Sequence, residues 1–191
     1  MDNSILTLPF VPLRGIVVFP KLLSNIDIGR EKSLAAVDYA MEHDRLMIVS
    51  AQLDEDEENP GFDGIYQIGT LVKIQQLLRL PGGIVRILAD GISRVEIRGY
   101  ADKKNYTEVA AVKIQDEYTG SNENEALRRL MLHRFTDWLD NLKGNDELKE
   151  KAEAIQDAGT LADFIAAQLP LRLVARQQML EIYDVPCMRA S

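Results

Sequence analysis

The chain has 191 residues, 46% of them apolar and 27% charged, with a formal net charge of −8 at pH 7. That length suits one large or two small domains with a real core, and the composition is ordinary for a soluble globular protein. No apolar run approaches the roughly 18 residues that span a membrane, MDNSILTL lacks the basic region of a secretory leader, and the charge argues against a generic polyphosphate-binding surface.

Residues 8–20 read LPFVPLRGIVVFP. Pro9 and Pro12 suit a leading or edge strand, where a missing N–H donor is tolerated. Arg14-Gly15 allows a turn or bulge, after which Ile16-Val17-Val18-Phe19 is expected to enter the sheet. Pro20 ends that run and is expected to throw Leu22 and Leu23 outward. In GREKSLAAVDYAMEHD, Leu34, Val37 and Met41 form one apolar helical stripe that starts near Gly29 and Arg30-Glu31-Lys32. A short apolar strand, 46–53, follows. The acids Asp54-Glu55-Asp56-Glu57-Glu58, ending in Asn59-Pro60-Gly61, then form a solvated loop. They lack the alternating ligands and glycine turn of a calcium loop.

Residues 65–100 form two long strand-like arms around Pro81-Gly82-Gly83. A Gly-Gly pair reaches positive φ without steric penalty, so it marks a hairpin. Arg94-Val95-Glu96-Ile97-Arg98 alternates as a strand with two different faces does. Gly69 and Gly91 fall inside the arms, where glycine marks a bulge or sharp bend, as a barrel-like sheet requires. Tyr106 to Ile114 supplies a further strand.

The texture then changes at Tyr118-Thr119-Gly120-Ser121-Asn122, dividing the chain into a β-rich part, 1–117, and a helical part, 118–191. Leu127, Met131, Phe135, Trp138 and Leu142 share one helical face, which reads as core. Lys143-Gly144-Asn145 stops that helix. Thr160-Leu161-Ala162-Asp163 reads as a capping box with Thr160 as N-cap. Pro170 breaks the chain, Arg172 to Tyr183 forms a last helix, and Pro186 ends it.

Catalytic motifs are missing. There is no G-x-x-x-x-G-K-S/T phosphate loop and no G-x-S-x-G elbow. His43 and His133 are the only histidines, lie in different parts, and make no metal site with a distant cysteine. Cys187 is the only cysteine, so a disulfide is impossible and a reducing, cytoplasmic setting is expected. No sequence neighbour activates it. An enzyme built from scattered Asp, Glu and Lys stays open at this point, but a binding module is the better inference, since binding needs only surface shape and apolar patches.

Several stretches together resemble the N-terminal region of bacterial Lon, the ATP-dependent AAA+ serine proteases. They are Pro12-Leu13-Arg14, Val17-Val18-Phe19-Pro20, Gly29-Arg30-Glu31-Lys32-Ser33, Gly69-Thr70, Leu78-Arg79-Leu80-Pro81-Gly82-Gly83, Val85-Arg86 with Gly91, Leu161-Ala162-Asp163, Leu169-Pro170-Leu171 and Leu180-Glu181. Their order and spacing, from about residue 6 to residue 185, make the match specific. The resemblance implies an α+β fold, in which a β-rich PUA-like pseudo-barrel with one helix precedes an α-helical bundle. It implies a substrate-recognition and oligomer-assembly domain, partnered by unfolded or damaged proteins, by the Lon ATPase and protease domains, and by itself in a hexamer. ATP and Mg would bind the absent ATPase domain, and the Ser–Lys dyad is absent too, so this chain alone is expected to be no enzyme and to need no cofactor. The family continues through a long helix where this chain reads Pro186-Cys187-Met188-Arg189-Ala190-Ser191, so an excised domain and a stand-alone relative are both readings. Candidate substrate contacts are Leu22, Leu23, Leu80 and Pro81, with Arg30, Glu31 and Lys32 as polar partners; no metal or catalytic residues are assigned. The alternative function is a stand-alone PUA-like module, an RNA or protein adaptor, which the negative charge opposes for RNA.

Overall fold

The structure is a computed structural model and describes residues 4–114, 122–142 and 145–182. It has an α+β fold and divides into two compact units, residues 1–115 and 116–191.

The first unit contains β1 (Ile5–Leu13), β2 (Leu23–Ile28), α1 (Glu31–Glu42), β3 (Leu46–Ala51), β4 (Ile68–Arg79), β5 (Val85–Asp102) and β6 (Thr107–Lys113). The sheet order is β2-β5-β4-β3-β1-β6, and β6 pairs back onto β5, which closes a barrel. The 18-residue β5 makes closure possible, since Val85–Asp90 pairs with β2 and Val95–Asp102 pairs with β6. A strand that changes partners must bend. The bends fall at register shifts beside Ile92 and Arg98 in β5 and beside Gln75 in β4.

Alternation along the strands builds a core on each face. Val11, Met47, Val49, Val72, Ile74, Val85 and Ile87 join Ala36, Val37 and Ala40 of α1 in one cluster. Their immediate neighbours Phe10, Ile48 and Leu71 join Val95, Ile97 and Val109 in the other. Both periods, about two and about 3.6, are those the sequence carries.

The opening stretch departs from expectation. The strand is Ile5–Leu13, with both prolines inside it, and Ile16–Phe19 forms no ladder. Leu13 O accepts from Gln52 N at 2.9 Å, so the odd-numbered residues of β1 aim their backbone groups toward β3. Pro9 faces that side before the β3 pairing begins at Phe10. Pro12 faces the other side, past the last β6 partner at Phe10. Neither proline removes a ladder bond. After the turn at Gly15 (φ +66°), Val18 and Phe19 are buried yet bond singly, as where Thr70 Oγ1 donates to Val18 O at 2.6 Å. Phe19 passes so close over β5 that a Cβ on Gly91 would lie 2.2 Å from its carbonyl oxygen.

The second unit contains α2 (Asn122–Asp140), α3 (Asp146–Ala154), α4 (Ala158–Gln168) and α5 (Leu173–Glu181). Phe135 of α2 is buried and meets Phe164 of α4 edge to face at 6.1 Å. Met131 and Trp138 are only half-buried. The expected core position Leu142 lies past the helix end and is exposed, while Leu139, one turn after Phe135, is buried instead. The α4 cap also differs from expectation. Asp157 is the N-cap, accepting from Thr160 N at 2.7 Å and from Thr160 Oγ1 at 2.5 Å. A carboxylate serves the orphan N–H groups better than a hydroxyl and takes the helix dipole as well, so Thr160 sits at N3 as a donor. The boundary stretch at Tyr118–Ser121, the helix stop at Lys143-Gly144, and Tyr183, Pro186 and Cys187 lie outside the described residues.

Candidate functional site

The outer face of β2, β5 and β4 carries the candidate site. In β2, Ile26 and Ile28 point into the core, so Leu23, Asn25 and Asp27 point out. Opposite them on β5 stand Asp90, Leu88 and Arg86, and beyond these on β4 stand Lys73, Gln76 and Leu78. Leu23, Leu88 and Leu78 therefore lie in three successive rows, one per strand. Diagonal neighbours of this kind are within reach of long side chains. The result is an oblique apolar strip whose ends, Leu23 and Leu78, are 63% and 58% exposed. A shallow groove of about 460 Å³ runs beside Leu88, bounded by Asn25, Gln76, Leu78 and Arg86.

Polar residues frame the strip. Asp27 accepts from Arg86 Nε and Nη2 at 2.6 and 2.7 Å, a bidentate pair. Those hydrogen bonds hold the Asp27 carboxyl below its ordinary range. Gln75, the residue at the β4 register shift, donates to Asp90 at 3.1 Å. That shift also explains why Leu78 faces outward. Val72 and Ile74 point into the core before it, and Leu77 packs on the core after it, so parity reverses.

The sequence-derived candidates separate into two groups. Leu23 belongs to the strip. Leu22, just before it, is half-buried and its carbonyl accepts from Gly91 N at 2.9 Å. Leu80 is half-buried and Pro81 exposed at the β4–β5 tip, where Leu80 N donates to Ile84 O at 2.8 Å around Gly82 and Gly83, both at positive φ. These four sit on the hairpin and β2 that carry the strip. Arg30, Glu31 and Lys32 lie past the other end of β2, at the start of α1.

Arg30 is a fastening point. Its guanidinium donates to Pro12 O and Gln52 Oε1, each at 2.8 Å, and to Glu58 O at 3.1 Å. Burial, and next the like charge of Arg14, pull it below the ordinary guanidinium range. Buried Gln52 in turn donates to Asp54 O and Glu57 O, and Arg14 pairs with Glu58 at 2.7 Å. The backbone of the acidic loop is thus tied down while its carboxylates face solvent. Lys32 is paired with Asp102 at 2.7 Å, and Glu31 is exposed. Sequence reasoning did not single out Leu78, whose outward orientation depends on the register shift, or Leu88, which turns outward by alternation between buried Ile87 and Ala89.

His43 stacks on Tyr39 at 4.0 Å, with Nδ1 2.7 Å from Tyr39 O. Exposed His133 lies 3.6 Å from Asp137. Among the described residues, no group of three or more His, Cys, Asp or Glu could hold a metal ion, and no helix is long and apolar enough to cross a membrane.

An apolar strip on a closed barrel, with a helical unit after it in the chain, is an arrangement suited to binding. Residues 7–187 match the family model of the ATP-dependent protease La (LON) substrate-binding domain, and the chain belongs to that family. It is 36% identical over 180 residues to Lon protease 1 of Bacillus subtilis (strain 168), covering 94% of this chain and 23% of that protein. It is 37% identical over 184 residues to the Lon protease of Heliobacterium modesticaldum, covering 96% of this chain and 23% of that protein. The chain thus spans about a quarter of the length of these relatives, and the similarity falls on the substrate-binding domain, not on the catalytic parts. The fold matches the N-terminal domain of Mycobacterium avium complex Lon protease, with a TM-score of 0.79 and 21% identity over 94% of this chain and 92% of that one. A Lon N-terminal domain protein from Xanthomonas campestris matches with a TM-score of 0.66 and 16% identity, over the same shares.

Proposed function

We propose that this domain holds exposed apolar segments of unfolded or damaged proteins for an ATP-dependent Lon protease, in cytoplasmic protein quality control. The observation that carries the reading is the strip of Leu23, Leu88 and Leu78 on the outer face of the sheet, half-buried at Leu88 and open to solvent at Leu23 and Leu78. Folding hides apolar side chains, so a protein that sorts folded from unfolded chains needs a shallow apolar surface of this kind. Such a contact is weak and permissive. Display on several copies, as in a hexamer of the full-length protease, raises capture through avidity. Leu22, Leu80 and Pro81 flank the strip as further candidate contacts, and ATP with Mg serves the ATPase domain rather than this one.

Photo-crosslinking to reduced, unfolded casein tests the proposal. Crosslinks are expected at β2 and the β4–β5 hairpin, and the double change Leu23→Ser and Leu78→Ser should weaken capture several-fold with the thermal midpoint unchanged. Crosslinks confined to the helical unit, or indifferent to both changes, would overturn it.

A further inference from the structure

The strip explains how side chains are met, and β2 offers something more: an open backbone. This strand stands at the end of the sheet order and, among the described residues, pairs only with β5. Gly91 N donates to Leu22 O at 2.9 Å, so in the alternation of an antiparallel ladder Ser24, Ile26 and Ile28 turn their backbone groups to β5. The β3–β4 contact gives the same answer independently. Ile74 N donates to Arg45 O, which commits Lys73 and its partner Asp90 to the β4–β5 ladder and leaves Ala89 and Gly91 facing β2. The N–H and C=O groups of Leu23, Asn25 and Asp27 therefore point to the open side.

Sheet edges of this kind are normally blunted by proline, lysine, a bulge or an unpaired charge. The segment LSNIDI has no proline and no lysine, its register against β5 has no shift, and its one charge, Asp27, is neutralised by Arg86. Beside this edge lies a cleft of about 250 Å³, where β2 and the end of β1 come near without pairing. Its apolar walls are Val11, Leu13, Ile16, Ile26 and Ile28.

We infer that the open edge of β2 takes up an extended, alternately apolar segment of a non-native polypeptide as an added strand. The added strand would send alternate side chains to two faces. One set meets the outer strip at Leu23 and the other turns to the cleft, where Ile16 is the exposed apolar side chain, while the backbone supplies sequence-independent hydrogen bonds. The complement of a ladder edge is another extended backbone, which neither nucleic acid nor a small ligand offers. A second copy of this chain would bring a net charge of −8 against −8, so a foreign segment is the favoured occupant. The inference rests on the reading that this domain holds unfolded chains.

The test uses the full chain and a short synthetic peptide of alternating Val and Thr. A second version of that peptide is N-methylated at every other residue, which removes backbone donors and leaves the side chains. The expected results are slowed amide exchange at Leu23, Asn25 and Asp27 on adding the first peptide, and binding weakened about tenfold or more by N-methylation. Asn25→Pro removes one outward N–H without touching the β5 ladder, and should weaken the first peptide in the same direction. If Asn25→Pro does not fold, the N-methyl comparison stands alone. Equal binding of both peptides, with both weakened by Leu23→Ser and Leu78→Ser, would overturn the inference and leave the proposed function standing. A β2-paired dimer without peptide would also overturn it. Failure of both peptides together with failure of casein crosslinking would remove both readings.

Discussion

At single residues the fold is held by close approaches that leave no room. A Cβ at Gly91 would stand 2.2 Å from Phe19 O, and one at Gly69 would stand 2.5 Å from Val49 O. Both obstacles are backbone atoms, so no side chain can swing aside. Gly91→Ala must move the buried Val18–Phe19 stretch off β5 and should destabilise by about 3 kcal/mol. Gly82 is glycine for a different reason. It sits at φ +83° with open space around it, so Gly82→Ala should cost only about 1 to 2 kcal/mol of backbone strain. Urea unfolding of the two variants checks the order; equal midpoints would show that the crossing over Gly91 yields easily. The same close approach separates Ile16–Phe19 from the sheet. In the sequence these residues read as a strand because they are β-branched, aromatic and apolar; Val17, Val18 and Phe19 are buried, while Ile16 is exposed. The missing ladder was not legible, because it depends on residues some seventy positions later, at Gly91.

At the scale of elements, local signals were legible where they were short-range. The Gly82-Gly83 tip and the stripe of α1 follow from φ and from period, and both are where the residues put them. The α4 cap is ambiguous in the sequence because Thr160 and Asp157 both carry capping chemistry, and only the geometry shows Asp157 accepting twice. Asp157→Ala removes both acceptors and should destabilise the helical unit by about 1 kcal/mol, whereas Thr160→Val leaves the backbone bond intact and should cost less. Thermal melts of the two variants discriminate, and a larger loss for Thr160→Val would restore Thr160 as the main cap. In α2, Glu125 accepts from Arg128 at 2.9 Å and from Arg129 at 2.7 Å. The Arg128 and Arg129 hydrogen bonds take its pKa from 4.5 to about 2. The folded state therefore favours the carboxylate. This contribution is complete above the unfolded-state value near 4.5 and is lost as pH falls through about 2. Glu125→Gln should lower the thermal midpoint near neutrality, with the difference closing as the pH approaches 2. A difference independent of pH would remove the ion pairs as its cause. The outward position of Leu78 was illegible for the opposite reason from the tip. One extra residue at Gln75 reverses the parity of everything after it, and no local residue type announces that shift.

Under the proposed function, the charge of the whole chain, −8, would act on capture before any contact forms. The acidic loop concentrates part of that charge where Arg30, Gln52 and Arg14 fix its backbone, and residues 53–59 are exposed. The apolar strip has no comparable field, since Asp27 and Arg86 cancel at its margin. Encounter and retention should therefore separate experimentally. Unfolded proteins of positive net charge should be drawn in faster than acidic ones of equal apolar content. Raising salt from about 0.1 M to about 1 M shortens the screening length from about 10 Å to about 3 Å and should abolish that advantage. The dissociation rate of a neutral apolar peptide should not rise over the same range, because burial of apolar surface is not screened. Stopped-flow association of casein and of a lysine-rich unfolded protein, each at low and high salt, measures both effects. Substituting the five acids of 54–58 by Asn and Gln should equalise the two association rates at low salt and leave peptide dissociation unchanged. Faster dissociation in that variant would mean that the loop itself touches the bound segment and that the strip on β2, β5 and β4 is only part of the holding surface.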